Sequence, residues 1–290
     1  MIASLLRDSA AAWLESGREA IVVEVVAARG SVPRGVGTRM LIDAAATAGT
    51  IGGGHLELKV IAAARAMIER GERTRREERH ALGPSLGQCC GGSVTIALAS
   101  LDAAALAEWP PAEPLLYLQL HGAGHVGRAI ATLLATLDVR VDWFDERDDG
   151  FQEATDLGSA WPAHIRRICG DTIEREVQRA PPGAFYLVLT HEHALDERIT
   201  EAILRRGDFV FCGLIGSQTK RAKFVRRFEA RGVAAAAIER LTCPVGIAGI
   251  EGKAPEIIAA AVVAQLLRVD GERAGPEVPR AARGAAVERL

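Results

Sequence analysis

The sequence predicts an α/β protein whose C-terminal part is a doubly wound parallel sheet and whose N-terminal part is a smaller α/β domain. Three observations carry this. Leu115 to Leu120 is a continuous apolar run, the pattern of a strand buried on both faces. A glycine turn, Gly122-x-Gly124-x-x-Gly127, follows at once and opens a helical pattern. Before both lies Glu108-Trp109-Pro110-Pro111-Ala112-Glu113-Pro114, which cannot continue a helix and lacks backbone donors, so it reads as a linker. The expected layout is therefore a first domain over 1–107, a linker over 108–114, a sheet domain over 115–269 and an Ala/Arg/Glu-rich, disordered tail over 270–290.

In the first domain, Ile2, Leu5, Leu6, Trp13 and Leu14 share roughly one helical face, and Gly17 stops that helix. Ile21 to Ala28 is rich in β-branched residues and predicts a strand. Arg39 to Ile42 and Thr50 to Ile51 predict a hairpin. Leu56 to Arg70 has helical spacing ended by Gly71, and Val94 to Leu98 predicts one more strand in the same sheet.

The second domain alternates. The turn leads into a helix over His125 to Leu137, and strands are predicted at Val139 to Phe144, Ala184 to Thr190 and Phe209 to Cys212. Helices are predicted over Ala194 to Arg206, Ser217 to Arg231 and Pro255 to Leu267. This alternation is that of a Rossmann-like sheet.

Composition narrows the function. Of 290 residues, 49% are hydrophobic and 25% charged, the balance of a folded protein. The formal net charge of −2 gives no basic surplus with which to neutralise nucleic-acid phosphates. Ile257 to Leu267 is interrupted by Gln265 and falls short of the roughly 20 residues that span a bilayer. Met1 to Gly17 lacks the basic lead and apolar run of a signal peptide. Five cysteines, an odd number, fit free thiols in a reducing compartment. A cytoplasmic protein with no nucleic-acid or membrane partner is expected.

Each glycine of the turn has a distinct role: Gly122 permits the tight bend, Gly124 lets backbone N–H groups approach a phosphate, and Gly127 lets helix and strand pack closely. The helix N-terminus adds partial positive charge. Asp145, ending the next strand, is placed to accept a bond from a ribose or similar hydroxyl, or else is a solvated strand-end carboxylate. His125 touches a phosphate or caps the helix.

A second strand-to-helix loop runs Cys212-Gly213-Leu214-Ile215-Gly216-Ser217, with Ser217 as N-cap. Lys220 and Arg221 oppose the dipole of the following helix, which suits either a bound anion or a solvated basic face. Thr190-His191-Glu192-His193-Ala194-Leu195-Asp196 ends another parallel strand, where such sheets bind ligands. His191 and His193 hydrogen-bond a polar ligand or cap the following helix; a metal there lacks a third ligand at a recognisable spacing. Gly249-Ile250-Glu251-Gly252-Lys253-Ala254 fails the spacing of a phosphate loop and has Ala254 where a Mg²⁺-binding hydroxyl belongs.

In the first domain, Arg29-Gly30-Ser31-Val32-Pro33-Arg34 and Gly52-Gly53-Gly54-His55-Leu56-Glu57 are glycine-dense, as in loops laid against a ligand or partner, or as purely structural turns. Gly87-Gln88-Cys89-Cys90-Gly91-Gly92 presents adjacent thiols that suit a soft metal or sulfur chemistry. On an extended chain only one of Cys89 and Cys90 faces a ligand. Cys169, Cys212 and Cys243 are expected to be buried.

Taken in order, these motifs, with Cys243-Pro244-Val245-Gly246 and Gly252-Lys253-Ala254-Pro255-Glu256, resemble the XdhC/CoxI family of xanthine dehydrogenase accessory proteins over about residues 20–268. Glu192 stands where that motif commonly has Asp, which keeps the charge. The resemblance implies a non-catalytic cytoplasmic chaperone that binds the molybdenum cofactor while a cysteine desulfurase supports its sulfuration. It then delivers the cofactor to the xanthine dehydrogenase molybdenum subunit, and it forms a homodimer. Cys89 or Cys90 would approach the molybdenum or its sulfur. Cofactor contacts are expected at Gly122, Gly124, His125, Gly127, Asp145, His191, His193, Gly213, Gly216 and Ser217. The competing reading is an NAD(P)-dependent oxidoreductase, for which the turn and Asp145 suffice as a binding site while His191 with Asp196 would serve as acid and orienting group. A third is an interaction scaffold with a vestigial nucleotide site, against which the intact glycines count.

Overall fold

The computed structural model describes residues 3–82, 92–109, 114–147, 151, 161–170 and 173–274. Two compact units result, dividing between Glu113 and Pro114.

The first unit contains α1 (Ala3–Glu15), β1 (Ala20–Arg29), β2 (Arg39–Asp43), β3 (Thr47–Gly49), α2 (Gly54–Glu69), β4 (Arg76–Ala81), β5 (Ser93–Ser100) and the short α3 (Ala103–Ala107). Its five strands are ordered β3-β2-β1-β5-β4 and every pair is antiparallel. The hairpin closes one turn earlier than expected. Asp43 accepts the N–H groups of Ala45 and Ala46 through Oδ1, so the chain reverses at 43–46 and Thr47–Gly49, not Thr50 to Ile51, forms the return strand. Strand β4 went unpredicted because Arg-Glu-Glu-Arg-His-Ala has no apolar period; it is an edge strand held by its ladder to β5. One face of the sheet buries Ile21, Val23, Met40, Ile96 and Leu98 against Leu56, Val60, Ala64 and Met67 of α2. On the other face Leu6 and Ala10 of α1 pack with Val22, Leu41 and Trp109.

The second unit contains β6 (Tyr117–His121), α4 (His125–Leu134), β7 (Arg140–Asp145), β8 (Ile165–Cys169), α5 (Ile173–Arg179), β9 (Phe185–Val188), α6 (His193–Arg206), β10 (Phe211–Leu214), α7 (Gln218–Ala230), α8 (Ala235–Glu239), β11 (Leu241–Thr242) and α9 (Pro255–Ala274). Its six strands run β11-β10-β9-β6-β7-β8, all parallel. Strand order reverses between β6 and β9, and a doubly wound sheet opens its ligand crevice at that point. One face of the sheet, with Leu118, Leu120, Val141 and Trp143, is covered by Ile130 and Leu134 of α4 and by Ala259, Val262 and Leu266 of α9. The other, with Tyr186, Val188 and Cys212, is covered by Ile199 and Ile203 of α6 and Phe224 and Phe228 of α7.

At Asp270, where the tail is expected to start, the chain is still helical. Helix α9 continues through Ala274, because Asp270 is fully buried and pairs with Arg273 one turn on. Linker residues 110–113 and tail residues 275–290 lie outside the described residues. No described helix is long and apolar enough to cross a membrane.

Gly127 fixes how closely α4 sits on β6. A Cβ at this position would fall inside the van der Waals contact of the Gly122 carbonyl oxygen. Gly127→Ala is expected to lower unfolding free energy by about 1–3 kcal/mol, the usual cost of overpacking, in guanidinium denaturation. A variant as stable as wild type would show that the helix can shift freely.

Candidate functional site

The site grows out of the end of β6. Gly122 takes φ 119°, a conformation that side chains rarely adopt, and a Cβ there would collide with the Leu189 carbonyl. Its N–H donates to Phe144 O at 2.7 Å, and its own oxygen accepts from Trp143 Nε1 at 3.0 Å. The bend is thus held from β7 and pressed against the chain leaving β9. Gly124, the N-cap of α4, is different: a Cβ there would meet no atom within 4 Å, and no side chain caps the helix. The turn thus has free space at Gly124 beside a helix start that no side chain caps, and uncapped helix amides are the groups that receive a phosphate. His125 is exposed in the first turn.

Asp145 stands in the expected place but does something else. Its Oδ2 accepts the N–H of Ala123 at 2.6 Å, and Oδ1 accepts the N–H and Nε–H of Arg147 at 2.9 and 3.0 Å. Arg147 Nη2 adds a bond to Oδ2 at 3.2 Å. Burial alone would raise its pKa, yet these donors hold the carboxyl below the usual carboxylate range. It is a brace for the turn as well as a candidate ligand group.

The second loop surrounds a buried ion pair. Asp196 accepts Thr190 N–H at 2.9 Å, Thr190 Oγ1–H at 2.7 Å and Lys220 Nζ–H at 2.5 Å, while Lys220 also donates to Ile215 O at 3.0 Å. The two side chains are 1% and 11% exposed. The anion opposite Lys220 is thus an internal carboxylate. Ser217 caps α7, accepting from Lys220 N at 3.2 Å. Gly213 is buried on β10 against Phe211, Val245 and Leu187, and Gly216 lies against the Lys220 chain. His191 is exposed on the loop that leaves β9, and His193 is exposed as the first residue of α6.

Thiols and metals divide differently. Cys212 and Cys243 are buried, and burial raises both thiol pKa values, that of Cys212 to about 12. Cys169, expected inside, is exposed, because it is the last residue of β8, and among the described residues no strand pairs on the outer side of β8. Among the described residues no group of three or more His, Cys, Asp or Glu could hold a metal. Cys89 and Cys90, with 83–91, lie outside the described residues. Their flanks are placed: Leu82 N–H donates to Gly92 O at 2.8 Å, and a Cβ on Gly92 would strike the carbonyls of Arg29 and Ser31. The triple glycine is accounted for within the fold. Gly52, Gly53 and Gly54 all have positive φ, Gly52 abuts Pro33, and Glu57 accepts from Thr50 Oγ1, Ile51 N and Gly53 N at 2.5, 3.0 and 3.0 Å.

Two features escaped the sequence reading. Arg147 could have been found, since an Asp-x-Arg spacing at a strand end lets the side chains meet. His121 could not. It is fully buried, stacked on Phe144 with centroids 5.0 Å apart, and neither ring nitrogen has a partner among the described residues.

Residues 118–266 match the XdhC Rossmann domain, and residues 13–78 match the XdhC and CoxI family. The chain belongs to the XdhC family. This XdhC-family chain is 30% identical over 259 residues to an uncharacterised protein, YqeB, of Escherichia coli K12. That alignment takes in 88% of the chain but spans only 44% of the relative's length. A crystal structure described as a xanthine dehydrogenase from Bacillus halodurans superposes with a TM-score of 0.76 at 18% identity, covering 97% of this chain and 99% of that one, a likeness of fold.

Asp196→Ala would strand the Lys220 ammonium in a buried site and is expected to cost about 3–5 kcal/mol in urea unfolding, whereas Asp196→Leu with Lys220→Met should recover most of the loss. Equal stability of the single variant and wild type would contradict a structural ion pair. Burial lowers the His121 pKa from 6.5 to about 3. Below pH 6.5 the unfolded chain therefore takes up a proton that the fold refuses, and stability falls as pH drops from 6.5 towards 3. At pH 5 this costs about 2 kcal/mol; His121→Phe should flatten that acid limb in denaturation curves measured from pH 4 to 8.

Proposed function

We propose that the chain is a non-catalytic accessory factor that binds the molybdenum cofactor and passes it to xanthine dehydrogenase. The observation that carries this reading is the uncapped N-terminus of α4 beside Gly124, inside a domain of the XdhC family. The cofactor is a pterin dithiolene that ends in a phosphate, and the open turn fits that end. Gly124 and the first amides of α4 would hold the phosphate, with His125 exposed beside them. Bound, the cofactor supplies the molybdenum centre that the client enzyme uses; the chain's own work is to hold one end of it.

Partners in this reading are the molybdenum subunit of xanthine dehydrogenase and a cysteine desulfurase that supports sulfuration in the cytoplasm, with the chain acting as a homodimer. Cys89 or Cys90 would approach the molybdenum or its sulfur. His191 after β9, His193 at the start of α6, Gly213 on β10, and Gly216 and Ser217 after it would border the rest of the ligand.

Anaerobic purification followed by pterin analysis tests this. The wild-type chain is expected to bind molybdenum cofactor saturably and to raise the activity of apo-xanthine dehydrogenase. Gly124→Ala should keep its unfolding midpoint yet bind at least tenfold more weakly, since the added methyl group occupies the phosphate slot. Replacing Cys89 and Cys90 by Ala should lower activation. Saturable NAD(P) binding with turnover of a substrate, and no pterin binding, would establish the oxidoreductase reading instead.

A further inference from the structure

Helix α7 carries more positive charge than its own packing uses. Lys220, Arg221, Lys223, Arg226 and Arg227 stand against a single carboxylate, Glu229, on the same helix. The cations nearest the core are neutralised: Lys220 pairs with Asp196 at 2.5 Å, and Arg227 pairs with Glu197. Lys223 and Arg226 make no ion pair or hydrogen bond among the described residues. Both are exposed, and with Thr219 and Ala222 they follow the i, i+3, i+4, i+7 spacing of one helical stripe, while Phe224 and Phe228 are buried in the core. A shallow surface depression is lined by Gln218, Thr219, Ala222, Lys223, Arg226 and Arg227.

This placement is unfavourable in an isolated chain, since like charges one turn apart repel and cations early in a helix oppose its dipole. An anionic partner relieves both. A nucleic acid fits poorly: two free cations release few counterions, and the chain's net charge of −2 adds no attraction. A membrane surface fits poorly too, because it needs an apolar wedge, and the large exposed hydrophobics among the described residues, Val36, Leu58, Leu133, Ile250 and Ile257, all lie off α7. The acidic face of a folded protein needs neither, as charges at the rim of a contact steer and orient docking. The stripe also lies close to the candidate site. Lys220, in the first turn of α7, holds Asp196, which accepts Thr190 N–H at 2.9 Å, and the Leu189–Thr190 peptide packs against Gly122. One helix width, about 10 Å, separates the outer stripe from that network.

We propose that the outer stripe of α7, Thr219, Ala222, Lys223 and Arg226, is a docking surface for the acidic face of the protein that receives the ligand held at the glycine turn. The identity of that recipient rests on the proposed function. Lys223 and Arg226 supply the attraction, and the small side chains of Thr219 and Ala222 leave room for the partner's surface between them. A recipient seated there stands beside the loops that border the ligand.

The test is the affinity of the full chain for the apo molybdenum subunit of xanthine dehydrogenase by surface plasmon resonance at low and high salt, with anaerobic molybdenum cofactor binding and the unfolding midpoint measured alongside. Wild type is compared with the charge reversal Lys223→Glu/Arg226→Glu and with the charge-keeping exchange Lys223→Arg/Arg226→Lys. Subunit binding weakened tenfold or more by reversal, within threefold of wild type after exchange, and with cofactor binding and midpoint unchanged, supports the proposal. Equal loss in both variants overturns it, since the exchange keeps the charge. Subunit affinity that reversal leaves unchanged overturns the docking surface and leaves the proposed function standing; short single-stranded RNA or phosphatidylserine vesicles bound by wild type and released by reversal would then assign the stripe to a polyanion. Cofactor binding without subunit binding overturns the docking surface and leaves the chain a cofactor binder. Failure to bind either probe overturns both readings.

Discussion

Helix α4 leaves β6 at a point where two peptide backbones all but touch. Gly127 lies over the Gly122 carbonyl, and Gly122 in turn lies against Leu189 at the exit of β9. Side chains at either position would force the helix outward, because a packed interior transmits even a methyl group's displacement. The rest of the second unit follows from that closeness. It sets α4 on the sheet, lets α9 lie over α4 to complete the same core face, and aims the first amides of α4 along the crevice where strand order reverses.

Electrostatics holds the loops where the backbone puts them. Three buried carboxylates are held internally: Asp145 by the turn and Arg147, Asp196 by Thr190 and Lys220, Glu197 by Arg227 and Arg231. Each buried charge has a partner, as the cost of desolvation requires. Asp145 and Asp196 are thereby fixed to the loops they brace.

How much of this was legible depends on the range of the interaction. The parallel strands were legible because burial on both faces writes an uninterrupted apolar run, as at Leu115 to Leu120, and the three glycines because each meets a local steric demand. Ser217 was legible as a cap for the same reason. Pairings across distant segments leave no periodic trace, so Lys220 read as a basic face or an anion site while its partner Asp196 sat a helix away. Asp145 shows a subtler limit: its position was foreseeable, but a strand-end carboxylate has the same letter whether its lone pairs are free or filled. Cys169 was misplaced because a general tendency of cysteine to be buried yields to position on an open edge.

That open-edge problem has another instance in the first unit, at β4. Its outer rim offers unpaired backbone groups of the kind that template cross-strand growth between molecules. The sequence Arg76-Glu77-Glu78-Arg79-His80 places charge on both faces, and along one of them Arg76 pairs with Glu72 and Glu78. A second strand docking there would have to strip water from charges above and below the new ladder at once. The segment least visible to pattern reading is thus the one whose charges oppose the docking of a further strand at this edge.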